Sequence, residues 1–401
     1  MTSRQDVIIV GGGPAGMMTG LLLARAGVET LVIEKHADFL RDFRGDTVHP
    51  STMEFLHELG MLERFLQRPH DKVPDLEARV AGKRLKIADF SHLPVAAPFI
   101  AMMPQWDFLD FLLDEAKSFP TFRLQTSSAA TGFRERGGRI VGVDLADGGA
   151  LEADKLVIAA DGRGSIARHV LPVRTLGAPM DVLWFHVPKT DDGENRSTGV
   201  FEAGRIFALI DRSTYWQCAY VFPKGSMQKL RERGLPALVA DIENAAPDLG
   251  ALSAVLTSWD DLKLLSVSLD RLDRWHKPGL LAIGDAAHAM SPIGGVGINL
   301  AVQDAVATAN LLAKGLRSRP DVDDLLATVE ARRLLPTRVI QRFQKLAQDN
   351  IIGALLKPDA KLDRPPFALR LLNRFPWLQR IPARMLGLGV RREHVRSPKA
   401  A

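Results

Sequence analysis

The chain contains one cysteine, Cys218, in 401 residues. A single thiol excludes an intrachain disulfide, a CxxC redox pair and an all-cysteine metal site. It also favours a reducing, cytoplasmic compartment. Tyrosine is nearly as scarce, with only Tyr215 and Tyr220. Charge of one sign is scarce overall: 52 Lys and Arg oppose 47 Asp and Glu, a net charge of +5. That mild excess gives no reason to expect a nucleic-acid partner. No internal repeat and no low-complexity tract is present. Apolar residues make up 46% and charged residues 25%, which excludes disorder, collagen and small disulfide scaffolds. One uncharged run has membrane length, Val7 to Ala24. It holds Gly11, Gly12, Gly13, Pro14, Gly16 and Gly20, which would badly weaken one continuous helix. It is therefore read neither as a span nor as a signal peptide.

The length suggests two or three structural units. Val7 to Val10 is a fully apolar, β-branched run, the mark of a buried parallel strand. Glycines follow, then helical spacing from Pro14 to near Gly27, then a second strand over Thr30 to Ile33. Strand, turn, helix and strand in about 30 residues predict a parallel sheet. Met53 to Leu66 reads as one helix and Phe108 to Ala116 as another. Residues 70–100 show no clear period. Asp147-Gly148-Gly149 marks a hairpin. Lys155 to Ala160 and Leu280 to Ile283 are further buried strands, and Val302 to Leu316 is a long helix. Val182 to Val187, Thr198 to Ile210 and Tyr215 to Phe222 are aromatic β-rich runs. The β-rich middle therefore reads as an insertion into a nucleotide-binding unit made from both ends of the chain. The expected fold class is α/β, a Rossmann-like unit interleaved with a mixed β-sheet domain and followed by a C-terminal helical segment. The expected boundaries are 1–70, 101–175 and 275–355 for the nucleotide unit, 71–100 and 176–274 for the β-rich domain, and 356–401 for a basic tail.

Three motifs carry chemistry. The first is Gly11-x-Gly13-x-x-Gly16 between a strand and a helix. Glycines at this spacing let backbone N–H groups approach a pyrophosphate at the positive end of the helix. The second strand ends in Glu34, which can accept from ribose hydroxyls. The second motif is Asp161-Gly162, followed by Ser165 and Arg168; Asp161 can accept from a cofactor or cap a helix. The third is Gly284-Asp285-Ala286-Ala287-His288, then Pro292-Ile293-Gly294-Gly295-Val296-Gly297-Ile298-Asn299. An acid at a strand end suits a sugar or ribityl hydroxyl, and the glycines leave main-chain N–H groups open to a flat polar ring. His288 has general-base chemistry, although a structural role at the turn explains it better. The motifs alone do not choose between FAD and NAD.

In order and spacing, from Asp6 to about Leu316, these motifs resemble the flavoprotein aromatic hydroxylases of the para-hydroxybenzoate hydroxylase type. The resemblance implies non-covalent FAD and NADH or NADPH as a transient co-substrate. It implies hydroxylation of an aromatic or other flat hydrophobic substrate with O2, through a C4a-hydroperoxyflavin. By position, Gly11, Gly13, Ala15 and Gly16 would hold the pyrophosphate and Glu34 the adenosine ribose. Arg44 and Gln105 would contact FAD, and Ala130 would meet the adenine. Asp161 and Asp285 would serve the nucleotide and the ribityl chain. Gly297, Ile298 and Asn299 would lie along the flavin's pyrimidine side, with Pro292 near its reactive carbon.

No general base is identifiable. Tyr215, Tyr220 and Trp184 fall in the β-rich insert and are the substrate-contact candidates, though packing on a sheet explains them as well. No second glycine motif offers the nicotinamide a domain of its own, which with the lack of CxxC argues against a disulfide reductase. The rivals are a reductase of polyprenyl or quinone-like substrates, a halogenase lacking that family's Trp-x-Trp signature, and a flavin-binding protein without turnover. Residues 361–401 hold eight Arg and two Lys against Asp363 and Glu393, so they carry +8 and the rest of the chain −3. This cationic segment is expected to dock on the acidic body or a second subunit of a homodimer. The weaker alternative is peripheral contact with an anionic membrane surface.

Overall fold

The computed structural model describes residues 5–40, 47–189, 197–202, 204–212, 214–246, 249–357, 360 and 362–400. Its centre is a six-stranded sheet in the order His276–Lys277, Leu280–Ala282, Leu156–Ala159, Val7–Val10, Thr30–Ile33 and Phe122–Gln125. All neighbours are parallel except the first pair. Strands from residue 7 and from residue 280 lie in one sheet, so both ends of the chain build it.

The strands are apolar throughout because both faces are covered. Val7, Ile9, Val32, Ile158 and Leu281 meet the helices Pro14–Arg25, Gln105–Ala116 and Gly297–Ser318. Ile8, Val10, Leu31, Ile33, Val157 and Leu280 point the other way, toward a three-stranded sheet of Ala130–Arg136, Arg139–Leu145 and Ala150–Glu152. The period of two along each strand thus feeds two separate cores. The long helix satisfies the length and apolarity of a membrane span, but 78% of its apolar window is buried in the protein. It is the core helix of this layer.

A second sheet has seven strands: Lys263–Leu265, Met180–Pro188, Tyr215–Pro223, Arg205–Asp211, Thr198–Glu202, Asp75–Val80 and Lys83–Asp89. The hairpin from residues 75–89 joins it through parallel pairing of Asp75–Val80 with Thr198–Glu202. One face lies under the helices Met227–Arg233 and Leu235–Ala245. The other carries Val182, Trp184, Ala219 and Val221 and meets Ile293, Ile352 and Leu355.

Three elements differ from the sequence reading. The helix expected over Met53 to Leu66 is two, Pro50–Glu58 and Leu62–Leu66, because Gly60 at φ 71° ends the first in a left-handed turn. Residues 70–100, without visible period, form strand Asp71–Val73 and the hairpin, which turns at Ala81 and Gly82 with φ 50° and 71°. The run Thr198 to Ile210 is two strands reversing at Gly204.

The C-terminal segment begins with helices Phe367–Arg374 and Arg380–Gly387. The first is pinned to the sheet edge by Asn373. Its amide accepts from the Lys86 N–H at 3.0 Å and donates to the Lys86 carbonyl at 3.1 Å. An edge strand's open backbone groups are thereby closed. Residues 388–400 then run back over the nucleotide unit. Arg392 pairs with Glu54, His394 and the Val395 N–H engage Glu58, and the Ala400 N–H reaches the Arg25 carbonyl at 2.9 Å. This part of the basic tail docks on acidic residues of its own body.

Candidate functional site

The three motifs meet at the carboxyl ends of the central strands. Gly11 has φ 105° and lies so close to Ala160 that a Cβ there would stand 2.5 Å from its carbonyl oxygen. Gly284, with φ 59°, packs on Ala15 in the same way, at 3.0 Å. The first turn therefore touches both the second and the third. A Cβ on Gly16 would lie 1.9 Å from the Gly11 carbonyl oxygen, which only glycine tolerates. At Gly13, Gly162 and Gly297, by contrast, a Cβ would meet nothing within 4 Å. These three line open space. Gly13 begins the helix Pro14–Arg25 without any side-chain cap. Its free N–H groups and positive end face that space, as a pyrophosphate requires.

Glu34 is nearly buried beside this turn. Its carboxylate accepts from the Gly12 N–H at 2.9 Å and the His36 N–H at 3.1 Å. Ala130 opens its strand close by; the Ser128 N–H bonds the Glu34 carbonyl at 2.8 Å. Gln105 is half-buried in the first turn of its helix. Arg44 lies outside the described residues.

Asp161 spends one oxygen on the following turn, whose N-cap is Ser165, and leaves the other. Oδ2 accepts from the Ile166 N–H at 2.9 Å, while Oδ1 is buried with no partner in the protein. Burial pushes its carboxyl above the usual range, against the pull of Ser165 and the Ile166 N–H. Asp285 faces Arg163, whose Nε lies 3.3 Å from Oδ2. Arg163 also donates to the Met290 carbonyl at 3.2 Å, and its buried Nη1 has no partner in the protein. Arg168 ties the second turn to the third, donating to the Asp285 carbonyl at 2.8 Å and pairing with Asp270. An orphaned carboxylate oxygen and an orphaned guanidinium nitrogen beside open glycines fit a ligand that both accepts and donates, as FAD does.

The Pro292–Asn299 loop is held by buried bonds. The Thr47 hydroxyl donates to the Gly295 carbonyl at 2.9 Å. The Asn299 Oδ1 accepts from the His49 N–H at 3.0 Å and the Thr52 hydroxyl at 2.7 Å. The Asn299 side chain is thus spent on the protein, and only its backbone is left for a ligand. Ile298 is buried and Gly297 starts the long helix.

Below the third turn lies a fully buried charge network. His288 Nε2 is 2.6 Å from Asp304, whose second oxygen takes Arg333 Nε at 2.8 Å. Arg333 continues to Gln303 at 3.0 Å and to Glu393 of the tail at 3.3 Å. Asp304 also accepts from the Gly284 N–H at 3.0 Å. Burial pushes the Asp304 carboxyl up, but His288 and Arg333 outweigh it and hold it below the usual range. His288 is 1% exposed and braces the turn. Sequence reasoning missed Arg163, Asp304, Arg333 and Glu393. Arg163 alone carried a signal, since it stands inside the second motif.

In the insert, Trp184 and Tyr215 share the face that meets Ile293, through the register Trp184↔Ala219 and Pro188↔Tyr215. Tyr215 stands edge-on to His186 at 4.7 Å. Tyr220 points the other way. It packs between Phe207 and Phe222 under the two helices, so its place is in that core and not toward the loop.

A family model described as an FAD binding domain matches residues 4–343. The 6-methylpretetramide 4-monooxygenase of Streptomyces rimosus is 32% identical over 94% of this chain and 93% of its own length. The chain belongs to the FAD-dependent aromatic hydroxylases. A rifampicin monooxygenase of Streptomyces venezuelae is 30% identical over 75% of this chain; the alignment spans 62% of that longer protein. The crystal structure of pqsL, a probable FAD-dependent monooxygenase from Pseudomonas aeruginosa, superimposes with a TM-score of 0.73 at 24% identity, covering 87% of this chain and 97% of that one. That last likeness confirms the fold. The chain is therefore an FAD-dependent monooxygenase, an oxidoreductase that works with NAD(P)H and O2.

Proposed function

We propose that this hydroxylase acts on a large, flat, fused-ring aromatic substrate held between the Pro292–Gly297 loop and the apolar face of the insert sheet. The observation that carries the reading is that Ile293 of the loop and Trp184, Ala208 and Val221 of that sheet border one apolar cluster and stay partly open. It sets an apolar sheet face beside the loop that leads into the helix Gly297–Ser318. The relative named a 6-methylpretetramide 4-monooxygenase supports a substrate of that class.

In this reading Gly11, Gly13, Ala15 and Gly16 hold the FAD pyrophosphate. Glu34 takes the adenosine ribose, with Gln105, Ala130 and the Asp161 Oδ1 completing the nucleotide contacts. Asp285 takes the ribityl chain, and Arg163 holds Asp285 in place. The backbone N–H groups of Gly297, Ile298 and Asn299 would hold the pyrimidine edge, with Pro292 on the reacting side. Bound FAD, reduced by NAD(P)H, supplies oxygen transfer. The chain supplies position and dryness: Trp184 and its aliphatic neighbours exclude water, and Tyr215 contributes a polar handle on the same wall. With these roles goes a two-ended FAD unit with an insert of 71–100 and 176–274, in a cytoplasmic protein.

The test is substrate-stimulated NAD(P)H oxidation with polycyclic phenols, followed by mass spectrometry under labelled O2. Label in the product supports the proposal. Reduction of an alkene without O2, or bound flavin that no nicotinamide reduces, overturns it.

A further inference from the structure

Between residues 367 and 387 the chain has four arginines, Arg370, Arg374, Arg380 and Arg384, and no acid. All four are exposed. None makes an ion pair among the described residues. Interleaved with them stand Phe367, Phe375, Trp377 and Ile381, exposed by 70%, 44%, 62% and 63%, and Leu371. On the first helix Phe367, Arg370, Leu371 and Arg374 follow the i, i+3, i+4, i+7 spacing of one face. The opposite side is fastened: Asn373 bonds Lys86, while Ala383 and Gly387 pack on Phe90 and Leu93. The patch is therefore held rigidly outward.

We propose that this face binds the anionic surface of a lipid bilayer. Two observations choose that occupant. A second copy related by a two-fold axis would bring the same patch against itself and set four arginines against four. Protein interfaces gather apolar side chains in a core with charge at the rim. Here aromatic tips and arginines alternate, which suits an interface where guanidinium groups stay with phosphates while rings enter the acyl boundary. Residues 388–400 are already spent on Glu54, Glu58 and Arg25, so binding falls to the two helices alone.

The experiment uses the full-length FAD-loaded protein and sedimentation with vesicles of phosphatidylcholine, with and without phosphatidylglycerol. Binding is expected only with phosphatidylglycerol and should weaken steeply with salt. Each of Arg374→Gln, Arg380→Gln and Arg384→Gln should weaken it about five-fold. Trp377→Ser with Ile381→Ser should abolish it, with the flavin spectrum and far-ultraviolet circular dichroism unchanged. Brominated lipid should quench wild-type fluorescence more than that of Trp377→Phe. Equal binding to neutral vesicles, no binding at low salt, or unaltered binding by the variants overturns the proposal. So does light scattering that shows a dimer broken by Trp377→Ser, or saturable capture of an acidic protein in place of lipid.

Discussion

Gly13 and Gly16 differ by three positions and by what surrounds them. At Gly16 a methyl group collides with backbone, so Gly16→Ala should destabilise the protein and abolish flavin binding together. At Gly13 a methyl group meets only open space, and φ is −74°. Gly13→Ala should leave the melting temperature of the flavin-free protein nearly unchanged while weakening FAD by at least about ten-fold, because the methyl group occupies the phosphate's place. Flavin titration and thermal unfolding in parallel check this. Equal loss of both would mean that Gly13 serves folding only. His49 offers a second measurement. It is fully buried, and its imidazole is pushed down from 6.5 to about 4, by burial first and against a bond to the Leu386 carbonyl. The unfolded chain binds that proton between these two values and the folded chain does not. Stability is thus intact above about pH 6.5 and falls as pH drops toward 4, by about 3 kcal/mol from this one residue. In urea unfolding, the difference between wild type and His49→Gln should shrink by that amount over this range. A constant difference would remove the claim. The glycines were legible in sequence because their spacing is local. His49 was not, since its burial depends on Leu386, over three hundred residues away.

The elements show the same division. Buried strands such as Val7–Val10 and Leu156–Ala159 announced themselves by composition, because sheets covered on both faces need unbroken apolar runs. The hairpin Asp75–Val80 with Lys83–Asp89 did not. Lys83, Arg84 and Lys86 lie on an edge strand, and charge there blurs the alternation that marks a half-buried one. Its cover, Asn373, comes from the other end of the chain. The brace under the third motif was equally hidden: His288, Asp304, Arg333 and Glu393 sit in four separate segments with no shared spacing. Arg333→Met would leave the fully buried Asp304 without its arginine, while Glu393 keeps Arg332 at 2.7 Å. Such a loss costs about 3–5 kcal/mol. Because Asp304 also holds the Gly284 N–H, flavin affinity should drop with it. Denaturant midpoints and flavin release rates test this, and a midpoint shift without faster release would separate the brace from the cofactor site.

Across the whole molecule, the composition revealed a cationic tail but not its path. Two helices face outward and the last residues bind Arg25, Glu54, Glu58, Asn310 and Arg333. Removing residues 388–401 should therefore lower the unfolding temperature by several degrees and reduce soluble yield. A truncated protein as stable as the full chain would show the strap to be dispensable. The meeting of distant segments at the cofactor site bears on the order of biosynthesis. The first glycine turn comes early in the chain, yet Gly284, which packs on its Ala15, and Asp304, which holds the Gly284 N–H, lie in the last third. A nascent chain holding only the amino-terminal half has a sheet lacking the Leu280–Ala282 strand and a phosphate turn without its far wall. Flavin loading therefore waits for the segment that carries Gly284, and until then the amino-terminal strands stand bare on that side and need shelter.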